Sequence, residues 1–275
     1  MKAAKFDYVK ATSLEHAFKE LGSGGDTRLM AGSQTLGPML NLRLVRAEKI
    51  VDISSVEELR YAKKEGEQLK IGAAVRHAEI EDGIYPDLVG HALQGVAARI
   101  AYRGVRNRGT IGGSLVHADP AADWVVALAA LGAEVELTNS GGEVRKVGMD
   151  DFMIAAYTTE IREDEILTAV YVPAQTENAH FSYYKYARKV GEFADASSAC
   201  YFNPQTKTAR IVLGALDGAP RLLPKLAVEV ASKGKDALES EILEEEVLQN
   251  VQGFSLARQR QFVTVARRCI AQLFD

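Results

Sequence analysis

The sequence predicts an α+β fold, in which two α/β units precede an antiparallel sheet that packs with helices. Two segments place a strand, a glycine-containing turn and the start of a helix in succession, as α/β units do. After Pro173 short runs alternate between apolar and polar residues, as in antiparallel strands, and the tail from Lys225 has the spacing of amphipathic helices. We therefore predict units over residues 1–57, 58–174 and 175–275.

The first unit is predicted from one amphipathic helix and two short strands. In SLEHAFKEL (13–21) the apolar residues fall on one helical face, and Thr12 or Ser13 is suited to cap the helix. RLMA (28–31) and KIVDI (49–53) are predicted strands. The segment between them is predicted to be helical after Pro38, which the first turn of a helix tolerates.

The second unit is predicted from longer elements. QLKIGAAV (68–75) is a predicted strand, and residues 86–101 have the apolar register of one helix. A strongly apolar helix is predicted from Pro120 to about Leu131. AEVELT (133–138) and EILTAVYVP (165–173) are predicted strands on the basis of alternation or a continuous apolar run.

The third unit is predicted to be a sheet followed by helices. HFSYYKYARK (180–189), SSACYF (197–202) and ARIVLGAL (209–216) are predicted strands, separated by glycine or Asn-Pro breaks. The remaining residues from Lys225 to the C-terminus are predicted to be helical. No repeat of 20–50 residues is present.

Composition and charge limit the class of protein. The chain is 47% hydrophobic and 25% charged, with a net charge of −4, which argues against a general nucleic-acid binder. No apolar run approaches the roughly 18 residues that span a bilayer. The first residues lack the apolar core of a signal peptide, so we expect a cytoplasmic protein.

Cysteine and histidine content predicts no metal site in this chain. Cys200 and Cys269 are too few for an iron–sulfur cluster or a cysteine-based zinc site, which take about four thiolates. We expect both to be buried thiols in a reducing compartment. The histidines show no HExxH or comparable ligand spacing.

Two segments combine glycine, hydroxyl side chains and the start of a helix. They are AGSQTL (31–36) and TIGGSL (110–115), called the first turn and the second turn below. Glycine admits positive φ and close approach of a ligand, and successive N–H groups in such turns bind anions. Together the two turns are suited to hold a diphosphate, although each alone is more often purely structural.

Better-known phosphate-binding patterns do not fit either turn. Neither is a P-loop, because no lysine follows the last glycine, and neither has the G-x-G-x-x-G spacing of nicotinamide-binding Rossmann domains. A mononucleotide kinase and a Rossmann dehydrogenase are therefore disfavoured.

The chain contains, in order, LMAGSQTLGPMLNLRLVRAEKIVDIS, IGAAVRHAEIE, RNRGTIGGSLVHADPAADW, EILTAVYVP and YYKYARKVGEFADAS. This set resembles the FAD-binding (medium) subunits of molybdenum hydroxylases, the flavoprotein chains of the xanthine dehydrogenase and carbon monoxide dehydrogenase family. The resemblance covers nearly the whole chain. It implies that the first two units are FAD-binding subdomains of the vanillyl-alcohol oxidase and UDP-N-acetylenolpyruvoylglucosamine reductase type, followed by a C-terminal α+β domain.

The resemblance also implies which residues bind the cofactor. The first and second turns match the two pyrophosphate-binding loops, and the acid in DPAADW matches one that hydrogen-bonds a polar part of the flavin nucleotide. The family often has glycine at position 33 and asparagine at position 114, where this chain has serine. The implied cofactor-binding residues are Ala31, Gly32, Ser33, Gln34, Thr35, Leu36, Ile100, Thr110, Ile111, Gly112, Gly113, Ser114, Asp123, Leu167 and Lys185.

The residues by themselves leave alternatives open for two of these positions. Asp123 lies in the first turn of a predicted helix, where the helix dipole favours a carboxylate with or without a ligand. Lys185 lies on a predicted strand and could face solvent. Its neighbours Tyr183, Tyr184 and Tyr186 could be ordinary sheet surface.

Four basic or titratable residues near the second turn have no assigned role. Arg103, Arg106 and Arg108 could offset the charge of a diphosphate or bind a partner chain. His117 could contact the cofactor or lie at the surface.

The function implied by the resemblance is that of an electron-transfer flavoprotein subunit with noncovalently bound FAD. In the family, electrons pass from a molybdenum–molybdopterin centre through two [2Fe–2S] clusters to FAD, and then to NAD⁺, oxygen or another acceptor. Two cysteines cannot hold those clusters, so a small iron–sulfur subunit and a large molybdopterin-binding subunit are the expected partners, in a single or doubled heterotrimer. The alternatives are a self-sufficient FAD-dependent reductase of the same fold and a flavin-free scaffold protein.

Overall fold

A computed structural model describes residues 2–174 and 178–275, so the predicted start of the third unit at residue 175 lies outside the described residues. The first sheet has three parallel strands in the order β1-β3-β2. Ser13 caps its first helix by accepting the N–H of His16. The elements are β1 (Asp7–Lys10), α1 (Leu14–Leu21), β2 (Thr27–Met30), α2 (Leu36–Asn41) and β3 (Lys49–Asp52).

The predicted elements of this part are present, and one strand was missed. β1 was not predicted, because its four residues are mostly exposed and show no apolar alternation. α2 begins before Pro38 rather than after it. Since the three strands are parallel, their carboxyl ends share the edge at which β2 leads into the first turn.

The second sheet has five antiparallel strands in the order β4-β5-β10-β6-β7. Two short strands pair separately as β8-β9. The elements are β4 (Ala62–Glu65), β5 (Gln68–Gly72), α3 (His77–Glu81), α4 (Ala92–Ala97), α5 (Arg103–Arg106), α6 (Ile111–His117), α7 (Asp123–Ala130), β6 (Glu134–Asn139), β7 (Val144–Gly148), α8 (Met149–Phe152), β8 (Met153–Ala155), β9 (Thr158–Thr159) and β10 (Glu165–Pro173).

Two helix predictions in this part were wrong in their extent. The predicted helix over 86–101 is a 3₁₀ turn at Pro86–Leu88 followed by α4, because Gly90 between them has φ +78°. The predicted helix from Pro120 begins only at Asp123, because a turn closed by the N–H of Ala122 on the carbonyl of Asp119 precedes it. Apolar periodicity continues through both breaks and so conceals them.

The third sheet is antiparallel in the order β11-β12-β13-β14, with helices packed on it. It confirms the predicted strands and the helical tail. The elements are β11 (His180–Tyr186), β12 (Ala196–Asn203), β13 (Thr208–Gly214), β14 (Arg221–Leu222), α9 (Pro224–Lys233), α10 (Glu241–Asn250) and α11 (Leu256–Ala271).

The centre of the molecule is α7, which is buried along its whole length. It contacts α4, α6 and α8 as well as β12 and β13 of the third sheet. Its residues belong to one apolar cluster that also takes in Leu137 of the second sheet and Ala199 and Val212 of the third. None of the helices within the described ranges is both long and apolar enough to cross a membrane.

Candidate functional site

The first turn exposes a row of backbone N–H groups. Ser33 has φ +60°, the left-handed conformation that glycine adopts most readily, which explains why glycine suits this position. The side chain of Gln34 donates to the carbonyl of Gly32 at 3.2 Å. Among the described residues, nothing accepts the N–H groups of residues 33–36, so these four donors are available to an anion.

The two turns lie against each other. A Cβ on Gly32 would stand 2.2 Å from the carbonyl oxygen of Arg108 and 2.6 Å from Cα of Gly109, so only glycine permits this approach. A Cβ on Gly113 would stand 3.7 Å from Cβ of Ala31. The structure therefore brings together the two segments that the sequence separates by more than seventy residues.

The second turn differs from the expectation that it would also offer a row of free N–H groups. Its N–H groups are used within the protein: Ile111 donates to Val75 and Gly112 to Ala73, each at 3.0 Å. Gly113 donates to Oγ1 of Thr110 at 3.1 Å, and Ser114 to the Thr110 carbonyl at 3.0 Å. This turn therefore offers a ligand the hydroxyl groups of Thr110 and Ser114. At Gly113, which is exposed, no side chain would obstruct a ligand.

The second turn rests on a buried pair of aromatic rings. Nε1 of Trp124 donates to Nδ1 of His77 at 3.1 Å, and the imidazole lies beneath Gly109. Burial, with a smaller effect of the Arg106 charge, lowers the pKa of His77 to about 3. The ring is therefore neutral at ordinary pH and acts as a fixed acceptor for Trp124.

Asp123 and Lys185 form a buried ion pair between α7 and β11. Nζ of Lys185 lies 2.7 Å from Oδ1 of Asp123 and donates to the carbonyl of Arg99 at 2.8 Å. The two side chains are only 10% and 5% exposed, so Lys185 does not face solvent. Burial raises the pKa of Asp123, while Lys185 and the hydroxyl of Tyr183 oppose that rise.

Tyr183 and Arg99 are members of this group that the sequence interpretation missed. The hydroxyl of Tyr183 donates to Oδ1 of Asp123 at 2.8 Å, and the side chain of Arg99 donates to the Tyr183 carbonyl. Tyr183 is 5% exposed, so it is not sheet surface. Its position two residues before Lys185 places both side chains on one strand face, which is the signal that could have identified it.

Two arginines near the second turn pair with acids of the protein. Nε and Nη2 of Arg106 donate to the two carboxylate oxygens of Glu81 at 2.7 and 3.0 Å. Nη1 of Arg103 donates to Asp82 and Glu81 at 2.8 Å each. These contacts fix α5 to the end of α3. Both arginines therefore have acidic partners within the chain, a role that the sequence did not indicate.

The remaining predicted residues lie at different depths. The N–H of Ile100 donates to the carbonyl of Ala97, and its carbonyl accepts from Arg106 at 2.9 Å, so both backbone groups already have a partner in the protein. Leu167 is buried within β10, opposite Leu137. The ring of His117 packs against Tyr157, with centroids 5.2 Å apart.

Metal-ligand clusters are absent from the part of the chain that the structure describes. Cys200 and Cys269 are both buried and free, as expected. Ser182 and Ser198 hold the Cys269 thiol in the interior.

Comparisons with known proteins agree on one family. Residues 4–175 match the family model described as the FAD binding domain in molybdopterin dehydrogenase. The chain is 37% identical over 221 residues to the 6-hydroxypseudooxynicotine dehydrogenase complex subunit alpha of Paenarthrobacter nicotinovorans, covering 79% of this chain and 74% of that one. It is 34% identical over 200 residues to the carbon monoxide dehydrogenase medium chain of Hydrogenophaga pseudoflava, covering 71% and 68%.

A solved structure extends the likeness over the full length. Carbon monoxide dehydrogenase from Hydrogenophaga pseudoflava, in a form that lacks the Mo-pyranopterin moiety of its molybdenum cofactor, superposes with a TM-score of 0.91. The sequences are 27% identical, and the match covers 100% of this chain and 99% of that one. The mixed α/β fold described above is therefore the fold of that chain.

Proposed function

The chain belongs to the FAD-binding family of molybdopterin dehydrogenases, and on that premise we propose that it is the electron-transfer subunit of a molybdenum hydroxylase complex. It is an oxidoreductase subunit that binds FAD. In the proposed complex it takes electrons from [2Fe–2S] clusters of a partner chain and passes them to NAD⁺, oxygen or another acceptor. The observation that carries the proposal is the contact between the two glycine turns.

The first turn fits a diphosphate because the N–H groups of residues 33–36, which lead into α2, have no acceptor in the described part of the chain. Residues 33–36 would donate to the phosphate oxygens, and the absence of a Cβ at Gly113 leaves room beside Ala31. Thr110 and Ser114 would add hydroxyl donors. Gly32 and Gly112 act by letting the backbones approach, and Ile111 is buried beneath the second turn.

The ion pair of Asp123 and Lys185 fits the polar part of a flavin nucleotide. Tyr183 and Lys185 hold Oδ1 of Asp123, so the carboxylate is fixed before any ligand arrives. Ile100 would contact the cofactor through its backbone, beside the hydrogen bond that its carbonyl already accepts from Arg106, and Leu167 would pack near the cofactor. FAD, when bound, supplies the redox chemistry, and the protein's part is to orient it and set the charge around it.

The partners and setting are proposed from the relatives. Those relatives are named as a subunit alpha of a dehydrogenase complex and as a medium chain of carbon monoxide dehydrogenase. We propose a small iron–sulfur subunit and a large molybdopterin-binding subunit as partners, in a cytoplasmic heterotrimer, single or doubled. We also propose that residues 1–57 and 58–174 form a vanillyl-alcohol oxidase-type FAD-binding domain, with residues 175–275 as a separate α+β domain.

Spectroscopy of the purified chain, alone and with its partners, tests this function. Acid precipitation should release yellow FAD into the supernatant, and the chain alone should bleach with dithionite and recolour in air. It should oxidise no purine, N-heterocycle, aldehyde or carbon monoxide until both partner chains are added, and omitting the iron–sulfur chain should block substrate-driven bleaching. Steady substrate oxidation by this chain alone would contradict the proposal.

A further inference from the structure

Arg108 is the arginine of the RGVRNR segment (residues 103–108) whose side chain has no partner in the described part of the chain. Arg103 and Arg106 are held by Glu81 and Asp82, as described above. The side chain of Arg108 is exposed and forms no hydrogen bond or ion pair with any of the described residues. Long cationic side chains are common on protein surfaces, so exposure alone does not indicate that Arg108 binds a ligand. Its location relative to the two turns is the informative observation.

The backbone of Arg108 is fixed where the two turns meet. Its N–H donates to the carbonyl of Val105 at 3.1 Å, and its own carbonyl oxygen occupies the space that a Cβ on Gly32 would need. Thr110, two residues later, begins the second turn. Arg108 therefore projects from the contact between the turns, and its Cα has little freedom to move away.

The charge of Arg108 also acts on the side of the first sheet where its strands end. The hydroxyl of Tyr8 donates to Asp52 at 2.6 Å, at the carboxyl end of β3. That hydrogen bond raises the pKa of Tyr8, and the positive charge of Arg108 opposes the rise. The charge of Arg108 is therefore felt at the edge of the sheet from which the first turn leaves β2.

A diphosphate on the first turn would leave charge to be neutralised. Amide dipoles offset only part of a phosphate's charge, because each contributes a fraction of a unit. Resting on the proposed function, we propose that Arg108 is the cation that neutralises the FAD diphosphate. Its positive charge would stabilise the diphosphate bound by the N–H groups of residues 33–36. A bidentate hydrogen bond from the guanidinium to a phosphate is not required.

Fluorescence titration of the full-length apo chain with FAD tests this assignment. Arg108→Gln should weaken FAD binding about three- to fivefold at about 20 mM salt, the range of an exposed ion pair. The difference should shrink toward zero at about 0.5 M salt, because screening removes the charge term. Arg108→Lys keeps the charge and should bind FAD as the wild type does.

Arg103→Gln is the matched control, since it removes the same charge from the same segment at a side chain that the protein already pairs. It should leave FAD affinity unchanged. Equal affinities of wild type and Arg108→Gln, failure of the lysine variant to restore binding, or an equal loss in Arg103→Gln would each overturn the assignment while FAD binding itself stands. A wild-type chain that binds no FAD would overturn the proposed function and this inference together.

Discussion

Gly113 leaves open a space that the side chain of any other residue would occupy. A Cβ there would stand 2.8 Å from Oγ1 of Thr110, the atom that accepts the Gly113 N–H and caps α6. Its φ is not positive, so the strain is steric rather than conformational. The residue is exposed, and its space opens toward Ala31 and the first turn.

Gly113→Val should abolish FAD binding with little loss of fold. The branched side chain displaces the Thr110 hydroxyl, which costs about 1 kcal/mol of cap stability, and it fills the space proposed for the diphosphate. Thermal unfolding and FAD titration of the same preparation measure the two effects. Gly104→Val, at an exposed glycine with open space around its Cβ position, is the control and should bind FAD normally. Unchanged affinity in Gly113→Val would mean that this turn does not hold the cofactor.

At the scale of elements, α9 shows a helix whose start is stabilised from elsewhere in the chain. Its N-cap residue, Leu223, has no side-chain acceptor, and Pro224 occupies the first turn. The carboxylate of Glu246 in α10 accepts the N–H groups of Lys225 and Leu226 at 3.0 and 2.6 Å. A buried glutamate thus replaces the local cap that this sequence lacks.

Glu246→Leu should lower the free energy of unfolding by about 2 kcal/mol. The change leaves two buried or half-buried N–H groups without an acceptor, and an unsatisfied donor costs about 1–3 kcal/mol. Chemical denaturation followed by circular dichroism measures it. Glu244→Leu removes the same charge from an exposed position of α10 and should stay within about 0.5 kcal/mol of the wild type. A similar loss in both variants would argue that the charge, and not the cap, is responsible.

At the scale of the whole molecule, the buried ion pair joins two parts of the chain that are sixty-two residues apart. Asp123 begins the fully buried α7, and Lys185 lies on β11 of the third sheet. The carbonyl of Arg99, after α4, accepts a second hydrogen bond from the same ammonium group. The ammonium group of Lys185 on β11 therefore links that strand to α7 and to the segment that follows α4.

Lys185→Met should destabilise the apo chain by about 3 kcal/mol, since a buried carboxylate is left without its counter-ion. Asp123→Asn should also destabilise it, and the double variant should lose less than the two single losses combined. Denaturant unfolding of the four proteins gives this coupling energy. Lys189→Met, in the exposed connection after β11, is the control and should be nearly neutral. Strictly additive losses would show that the ion pair does not couple the two elements.

The sequence by itself determined local features of the structure. The cap at Ser13, the strand alternation of β11 to β13 and the two glycine turns follow from preferences that act over a few neighbouring residues. The same local patterns also gave a wrong prediction at Gly90, where apolar periodicity continues through a break and indicated one helix over residues 86–101. The family resemblance was visible because several of these local motifs occur in one order.

Only the tertiary structure decided how those pieces act together. It gave the N–H groups of residues 33–36 no acceptor among the described residues, whereas those of the second turn donate to Ala73, Val75 and Thr110. It paired Arg106 with Glu81 and left Arg108 free among the described residues, although the two arginines are neighbours in sequence. The physical reason is that hydrogen bonds and ion pairs depend on distances of a few ångströms between residues far apart in the chain, and only packing of the whole molecule sets those distances.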